Sequence, residues 1–401
     1  MLRSLTRPTL PERIEEKFIF NISVAPVMNE RERLLRTLQF KEVDRVPDYE
    51  FGYWSETIDR WHAEGLPLHL HSIGDVEDYF MLEGWDTIDM LPVNTGLWPP
   101  PPARRIREFD DKVVIDDGLG GVYITKKWTS TIPQYLRYPI RSRGDWEKIR
   151  PFFDPDTPGR MPLSYDEIIR VYQERDYPLG ISVGSLYGWL RNLMGVQGIS
   201  IAFYRDPDWV AEMMDTLVNL WIKMIRRALR NIRVDFASWW EDMAYNMGPL
   251  VSVKLFEEFM VPRYKRVTDV LKEYGVEINI LDCDGKIDEL VPGWLKAGIN
   301  CMFPIEAKYT SPVKLREQYG DRVLLMGGVN KLALIEGPRA IDRELESLSQ
   351  LVKEGGYIPM VDHRVPPDVS LSNYVYYLKA KRKMIGRKEE LPYPKTSRES
   401  S

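Results

Sequence analysis

Residues 276–285 read VEINILDCDG, and the fold of the chain follows from this stretch. Its first six residues are rich in Val, Ile and Leu, which is typical of a buried strand. Asp282, Cys283 and Asp284 come next, where the strand must end, and Gly285 permits a turn. A helical pattern at 288–298 leads to a second apolar run, INCMFPIE, which ends in Glu306. This order predicts parallel strands with functional groups at their carboxyl ends.

The same alternation of strand and helix patterns recurs along most of the chain. The strand candidates are Asp44–Phe51, Thr87–Leu91, Leu179–Val183, Val234–Trp240, Val276–Leu281, Ile299–Glu306, Val323–Met326 and Tyr357–Val361. Strands that alternate with helices in this way predict an α/β fold, a (β/α)8 TIM barrel. A doubly wound open sheet is the alternative, but the sequence has no G-x-G-x-x-G or P-loop motif to support it.

The predicted barrel spans residues 44–386, and three further segments are predicted around it. Residues 1–43 form an N-terminal arm that ends in an amphipathic helix, Glu30–Phe40. An insertion at about 95–155 contains a predicted β-hairpin, Val113–Trp128, whose DDGLGG sequence supplies the turn. We expect this insertion to lie as a cap over one end of the barrel. Residues 387–401 form a polar tail.

The composition of the chain argues against several classes of partner. Its 401 residues carry a formal net charge of −5, which disfavours nucleic acid or an anionic membrane as a partner. No apolar stretch reaches the roughly 18 residues that a transmembrane helix needs. Cys283 and Cys301 are the two cysteines and cannot form a disulfide framework, so we expect a reducing cytoplasm. A small molecule is the expected partner, and a homodimer is compatible with this composition.

If the fold is a barrel, polar residues at the strand tips converge on one mouth. These tips carry Glu50, Glu241, Asp242, Asp282, Cys283, Asp284, Glu306, Asp362 and His363. Carboxylates and a histidine can bind zinc, act as acids or bases, or accept hydrogen bonds from the N–H groups of a ligand. Asp282 or Asp284 could instead cap the helix that follows. Glu306 precedes no helix at capping distance, which favours a functional role.

Further candidates follow other predicted strands. The segment GSLYGWLRNLMG at 184–195 places Tyr187, Trp189 and Arg191 where they can face a ligand. Glu50 and Asn330 are also predicted to bind substrate, the second because it follows the strand in LLMGGVNK. Aromatic residues are abundant, with 12 Trp and 21 Tyr, and serve either core packing or a pocket for a large flat ligand.

Several stretches, taken in this order, resemble the uroporphyrinogen decarboxylase superfamily. They are DRVP at 44–47, GSLYGWLRNLMG at 184–195, WWEDMAYNMGPLVS at 239–252, LDCDGKIDELVPGWLKAGIN at 281–300, FPIEA at 303–307, LLMGGVNK at 324–331 and YIPMVDHRVPPDVSLSNY at 357–374. The superfamily fold is a (β/α)8 barrel, so the resemblance and the strand count agree on the architecture.

One segment departs from the decarboxylase that gives the superfamily its name. That enzyme has an arginine-rich M-R-Q-A-G-R segment just after its R-V-P, and those arginines hold substrate carboxylates. Here the corresponding residues 48–61 read DYEFGYWSETIDRW, with no arginine before Arg60. A substrate with many carboxylates needs several cations in the mouth, so this departure argues against tetrapyrrole decarboxylation.

Another branch of the superfamily comprises methyltransferases of corrinoid-dependent systems. They bind zinc through an H-x-C pair after one strand and a cysteine after the last strand. By position these ligands correspond to Asp282, Asp284 and His363, which are different residue types but also able to bind metal. The resemblance therefore implies a Zn2+ site in this chain. Its predicted ligands are Asp282, Asp284, Glu306 and His363.

The resemblance to this branch implies methyl transfer in one-carbon metabolism. The methyl group would pass from a small methoxy- or amine-type substrate to a corrinoid on a partner protein. The metal would act as a Lewis acid on the leaving heteroatom, with Glu241, Asp242 and His363 as catalytic residues. The alternative is a decarboxylase that acts on a tetrapyrrole or another carboxylic acid, with Arg191 binding a carboxylate.

Overall fold

A computed structural model describes residues 27–127 and 133–388 of the chain. Helices alternate with strands through most of this length. The helices are α1 (Glu30–Leu38), α2 (Ser55–Ala63), α3 (Ile73–Tyr79), α4 (Arg143–Ile149), α5 (Tyr165–Gln173), α6 (Tyr187–Arg205), α7 (Pro207–Ala228), α8 (Val253–Leu255), α9 (Val261–Glu273), α10 (Val291–Lys296), α11 (Pro312–Tyr319), α12 (Lys331–Glu336), α13 (Pro338–Glu354) and α14 (Leu371–Ile385). The strands are β1 (Asp89–Met90), β2 (Arg104–Glu108), β3 (Lys112–Asp116), β4 (Val122–Lys126), β5 (Gln134–Arg137), β6 (Leu179–Gly184), β7 (Phe236–Trp240), β8 (Ala244–Tyr245), β9 (Gly248–Pro249), β10 (Asn279–Asp282), β11 (Cys301–Ile305), β12 (Leu324–Val329) and β13 (Tyr357–Val361).

Seven of these strands form one parallel sheet, in the order β1, β6, β7, β10, β11, β12 and β13. Helices connect successive strands from β6 onward, so the carboxyl ends of the strands lie at one edge. The inward side chains form a separate apolar cluster that includes Phe236, Ile280, Phe303, Met326 and Met360. The outward side chains pack against the helices. The fold is TIM-barrel-like, which confirms the predicted α/β barrel.

The predicted first strand, Asp44–Phe51, was wrong, because this segment is extended but forms no ladder. Pro47 has no N–H to donate. The N–H of Val361 in β13 donates to the Glu50 carboxylate at 3.1 Å, where a ladder would use a backbone carbonyl. The segment nevertheless closes the barrel by packing, since Tyr49 and Phe51 join the inward cluster. The predicted strand at 87–91 is present only as the two-residue β1.

Helix α1 closes the end of the barrel opposite the strand tips. Its side chains Leu34 and Leu38 join the inward cluster, and the carbonyl of Thr37 accepts the N–H of Gly356 just before β13. Asn29 caps the helix by accepting the N–H of Glu32 at 2.8 Å. Of the predicted arm, residues 1–26 lie outside the described residues, as do residues 389–401 of the predicted tail.

The insertion forms a four-stranded antiparallel sheet in the order β2, β3, β4 and β5. The predicted hairpin is confirmed as β3 and β4, although residues 128–132 lie outside the described residues. The insertion rests on α6, where the N–H of Ile140 donates to Leu193 and Gly195 lies against Tyr138. Its placement as a cap over the mouth stays a prediction. No helix in the described residues is long and apolar enough to cross a membrane.

Candidate active site at the barrel mouth

Strand alternation decides which of the predicted residues reach the mouth. In β10, Asp282 pairs in register with Phe303 of β11, whose ring belongs to the inward cluster. Asp284 follows two residues later, and Cys283 between them is buried in the outer layer. Asp242 follows β7 and has a φ of 44°, a left-handed conformation that turns the chain after the strand.

Asp242, Asp282 and Asp284 form a cluster of carboxyl groups at this mouth. Burial raises the pKa of Asp282 well above its usual range, and the charges of Asp284 and Asp242 raise it further. Burial also raises the pKa of Asp242, although Arg191 opposes this shift. The Asp282 side chain has no hydrogen-bond partner among the described residues, and Oδ1 of Asp284 is buried without one. These carboxyl groups therefore have acceptor atoms that no described residue uses.

His363 joins this cluster from the tip of β13. Its Nε2 lies 3.5 Å from Oδ2 of Asp284. The imidazole ring stacks on Trp54 and meets Phe51 edge to face, in both cases with 5.7 Å between ring centroids. These two aromatic rings and the carboxylate hold the imidazole with Nε2 toward Asp284.

Two arginines border the carboxyl cluster, and each is already paired. Nη1 of Arg191 donates to the carbonyl of Asp242 at 2.7 Å, and Nη2 donates to its carboxylate at 3.1 Å. Nη2 of Arg364 donates to both carboxylate oxygens of Asp86 at 3.2 Å. Because each guanidinium group has its own carboxylate, the mouth offers little net positive charge to an acidic substrate.

Aromatic rings form a floor beneath the carboxyl cluster. Phe51 lies 4.6 Å from Phe303, and Phe303 lies 5.5 Å from Trp85, measured between ring centroids. Trp85 in turn lies 5.7 Å from Phe236. Because Asp282 is the register partner of Phe303, its carboxyl group lies next to this floor. The mouth thus combines acidic groups with an aromatic surface.

Glu306 belongs to a second polar group beside the cluster. Its Oε1 lies 3.1 Å from Nζ of Lys331, and its Oε2 accepts the N–H of Gly285 at 2.7 Å. Asp362 accepts the N–H groups of Ala307 and Lys331, each at 3.1 Å, and burial raises its pKa to about 6. These bonds tie together the loops that follow β10, β11, β12 and β13.

Glu241, which was predicted to be catalytic, faces away from the mouth. It is fully buried in the outer layer, where burial raises its pKa. Its carboxylate accepts hydrogen bonds from Ser185 Oγ, Leu186 N, Tyr187 N and Tyr264 Oη. Helix α6 has no cap from its own N-terminal residue, so Glu241 caps it from another strand.

Several predicted substrate-binding residues are also engaged elsewhere. Glu50 is buried in an ion pair with Lys381. Asn330 caps α12 by accepting the N–H of Leu332 at 3.0 Å. Tyr187 is fully buried and burial raises its pKa to about 12, but its hydroxyl group has no hydrogen-bond partner among the described residues.

Trp189 is half-buried and lies close to the mouth. Its ring lies 5.8 Å from that of Trp240, edge to face. Trp240 is the register partner of Asp282 and therefore lies beside the carboxyl cluster. Trp189 contacts the cluster through Trp240. Of the residues in 184–195 that were predicted to face a ligand, Trp189 and Arg191 therefore lie next to the carboxyl cluster.

The predicted zinc ligands are only partly brought together. Asp284 and His363 are adjacent and Asp282 shares their cluster, whereas Glu306 is engaged by Lys331 and a backbone N–H. Within residues 27–127 and 133–388, no group of three or more His, Cys, Asp or Glu side chains is arranged to hold a metal ion. The donors as placed do not fit zinc, so the zinc site stays a prediction on which no later step relies.

Three residues of the mouth were missed by the sequence analysis, namely Trp54, Asp86 and Arg364. Two of them have a local signal in the sequence, because Trp54 lies in the aromatic segment 48–61 and Arg364 directly follows the predicted site residue His363. Asp86 has no such local signal, because its partner Arg364 lies 278 residues further along the chain.

The fold and the mouth first define the class of protein, which is a TIM-barrel-like α/β protein with a polar site at the carboxyl ends of its strands. The chain belongs to the uroporphyrinogen decarboxylase family, because the model described as uroporphyrinogen decarboxylase (URO-D) matches residues 111–384. This confirms the resemblance found in the sequence, and it indicates an enzyme of this superfamily.

Two similar proteins carry different names. A uroporphyrinogen decarboxylase of Serratia proteamaculans (strain 568) is 24% identical over 299 residues, which cover 70% of this chain and 78% of that protein. A solved structure named as a methyltransferase from Methanosarcina mazei superposes with a TM-score of 0.57 at 17% identity, covering 89% of this chain and 99% of that one. At this identity the second likeness shows the fold alone.

Proposed function

We propose that this protein transfers a methyl group from a small methylated substrate to a corrinoid held by a partner protein. The observation that carries the proposal is the pair of carboxyl groups of Asp282 and Asp284, which have free acceptor atoms at the mouth, with His363 beside them. The structural neighbour from Methanosarcina mazei, itself named a methyltransferase, supports this reaction class.

In methyl transfer, the main task of the protein is to stabilise the charge that changes on the leaving heteroatom. The bond between methyl carbon and heteroatom breaks, its electron pair stays on the heteroatom, and the carbon bonds to the electron pair of the acceptor. The corrinoid would supply that electron pair. Asp282 and Asp284 can donate a proton to a departing oxygen or balance positive charge on nitrogen, and His363 orients Asp284.

Replacing Asp284 with asparagine is expected to lower kcat/KM for methyl transfer by about 100-fold. The amide keeps the size of the side chain but removes its charge and its ionisable proton. The assay follows the loss of absorbance of free cob(I)alamin with purified full-length protein and a panel of methoxy and methylamine donors.

Asp342 offers a matched control for this experiment. It is exposed on α13, in the outer helix layer, where its carboxylate accepts a hydrogen bond from Tyr376, and it is not part of the carboxyl cluster. Asp342→Asn should keep wild-type activity. Full activity of a well-folded Asp284→Asn variant would show that the carboxyl cluster is not the reacting site.

A decarboxylase of the uroporphyrinogen type is the second candidate. It is favoured by the name of the Serratia relative and by the two guanidinium groups at the mouth, those of Arg191 and Arg364. Both groups are paired with carboxylates, so they are poorly placed to hold the several carboxylates of a porphyrinogen.

We therefore expect no conversion of uroporphyrinogen to coproporphyrinogen at an ordinary turnover of about 1 s−1. The measurement is chromatographic separation of the oxidised porphyrins after anaerobic incubation with the protein. Product formation at that rate would favour the decarboxylase and remove the main argument for methyl transfer.

A further inference from the structure

We infer that the mouth selects a methylated ammonium cation, in which the nitrogen that bears the transferred methyl group is positively charged. This inference rests on the proposed function and narrows its substrate from methylated compounds in general to one charge class. Two features of the mouth carry it, namely the unbalanced carboxyl groups and the aromatic surface next to them.

The charges of the mouth do not balance among themselves. The titratable side chains around the cluster are the carboxyl groups of Asp86, Asp242, Asp282 and Asp284, the imidazole of His363 and the guanidinium groups of Arg191 and Arg364. Arg191 pairs with Asp242 and Arg364 with Asp86, which leaves Asp282 and Asp284 without a permanent cation at salt-bridge distance among the described residues. Burial and the charges of Asp284 and Asp242 raise the pKa of Asp282, and a bound cation would favour its ionised form.

The second polar group of the mouth does not supply the missing charge. Lys331 lies 3.1 Å from Glu306 and 3.5 Å from Asp362, so its single positive charge already faces two carboxylates. The acidic excess therefore extends across both groups. A neutral ether would leave this excess uncompensated, and an anionic substrate would add to it.

The aromatic residues of the mouth suit the methyl groups of such a cation. Trp54 is half-buried and stacks on His363, which itself lies beside Asp284, whereas the guanidinium group of Arg364 already lies over the Phe51 ring, 5.5 Å from its centroid. Quaternary ammonium groups are hydrated weakly and are bound in proteins by aromatic faces together with carboxylates. Trp54 and the carboxyl pair provide these two elements on either side of one imidazole ring.

A cationic donor also fits the leaving-group chemistry. When a carbon–nitrogen bond of a quaternary ammonium breaks, the nitrogen keeps the electron pair and leaves as a neutral amine. Asp282 and Asp284 therefore need not supply a proton when this bond breaks.

The test compares a cation with a neutral molecule of the same shape. Choline and 3,3-dimethyl-1-butanol, in which a carbon atom replaces the charged nitrogen, are titrated calorimetrically into the full-length protein at matched ionic strength. We expect saturable binding of the cation that is at least about tenfold tighter than that of the alcohol. Asp282→Asn and Asp284→Asn should each lower the affinity for the cation by about tenfold, whereas Asp342→Asn should leave that affinity unchanged.

The outcomes separate this inference from the proposed function. Equal affinity for the alcohol, or cation binding that survives both Asp→Asn substitutions, overturns the inference, and the wild-type comparison decides this even if a variant fails to fold. Methyl transfer from methoxy donors without cation binding overturns the inference while the proposed function stands. Cation binding without transfer from any methylated ammonium or methoxy donor supports the charge selectivity of the mouth and overturns the proposed function.

Discussion

Replacing Glu241 with alanine is expected to lower the free energy of unfolding by about 3–5 kcal/mol. The carboxylate is fully buried and accepts hydrogen bonds from three backbone N–H groups at the start of α6, from Ser185 and from Tyr264. Alanine removes the acceptor that these buried donors share, and each donor left unsatisfied costs about 1–3 kcal/mol. Relief from burying a carboxylate offsets part of this cost. Urea unfolding of the variant and of wild type measures the difference.

Two further variants make the result interpretable. Glu241→Gln keeps the volume and one acceptor oxygen, so it should lose less stability than alanine does. Glu346→Ala, on the exposed side of α13, should change stability by no more than about 0.5 kcal/mol. A Glu241→Gln variant with wild-type stability but no activity would contradict the capping role and restore the catalytic role predicted from the sequence.

Replacing Lys381 with methionine is expected to cost about 3–5 kcal/mol of stability. Lys381 is fully buried on α14, and its ammonium group lies 2.9 Å from Asp48 and 2.5 Å from Glu50. Burial alone would raise the pKa of Asp48, but the charges of Lys381 and Arg382 more than offset this, and its pKa falls to about 2. Methionine fills the volume but leaves the Glu50 carboxylate buried without its cation.

The same helix provides the control, because Lys383 is exposed and Lys383→Met should leave stability within about 0.5 kcal/mol of wild type. Adding Glu50→Gln to Lys381→Met should recover part of the loss, since it removes the unpaired charge. A loss that the second substitution does not reduce would mean that packing, and not the ion pair, explains the effect. Both measurements use the midpoint of urea unfolding.

The fold could be predicted from the sequence because it depends on local patterns of apolar and polar residues. Apolar runs that end in polar tips recur between helical segments, and each run from 179 onward became a strand of the parallel sheet. The prediction of a strand at Asp44–Phe51 was wrong because its side chains alternate like those of a strand, whereas its backbone forms almost no hydrogen bonds with a neighbouring strand. Whether an extended segment joins a ladder depends on the neighbour that it meets, which local sequence does not contain.

Part of the site could also be predicted from local patterns in the sequence. Asp282, Asp284 and His363 come together because they lie at the tips of the parallel strands β10 and β13, whose carboxyl ends share one mouth. Glu241 has an equally prominent position after β7, yet it faces the helix layer. Alternation along β7 contains that information, but only when the register of the strand is known.

The sequence by itself thus determined the barrel, its family and the carboxyl-rich mouth, because strand periodicity and the position of polar residues at strand ends are local properties. Only the tertiary structure decided which acids are free. Glu50 is neutralised by Lys381, 331 residues away, and Arg364 by Asp86, 278 residues away. A charge at a strand tip becomes functional or structural according to the partner that folding brings to it, and such distant partners leave no trace in the surrounding sequence.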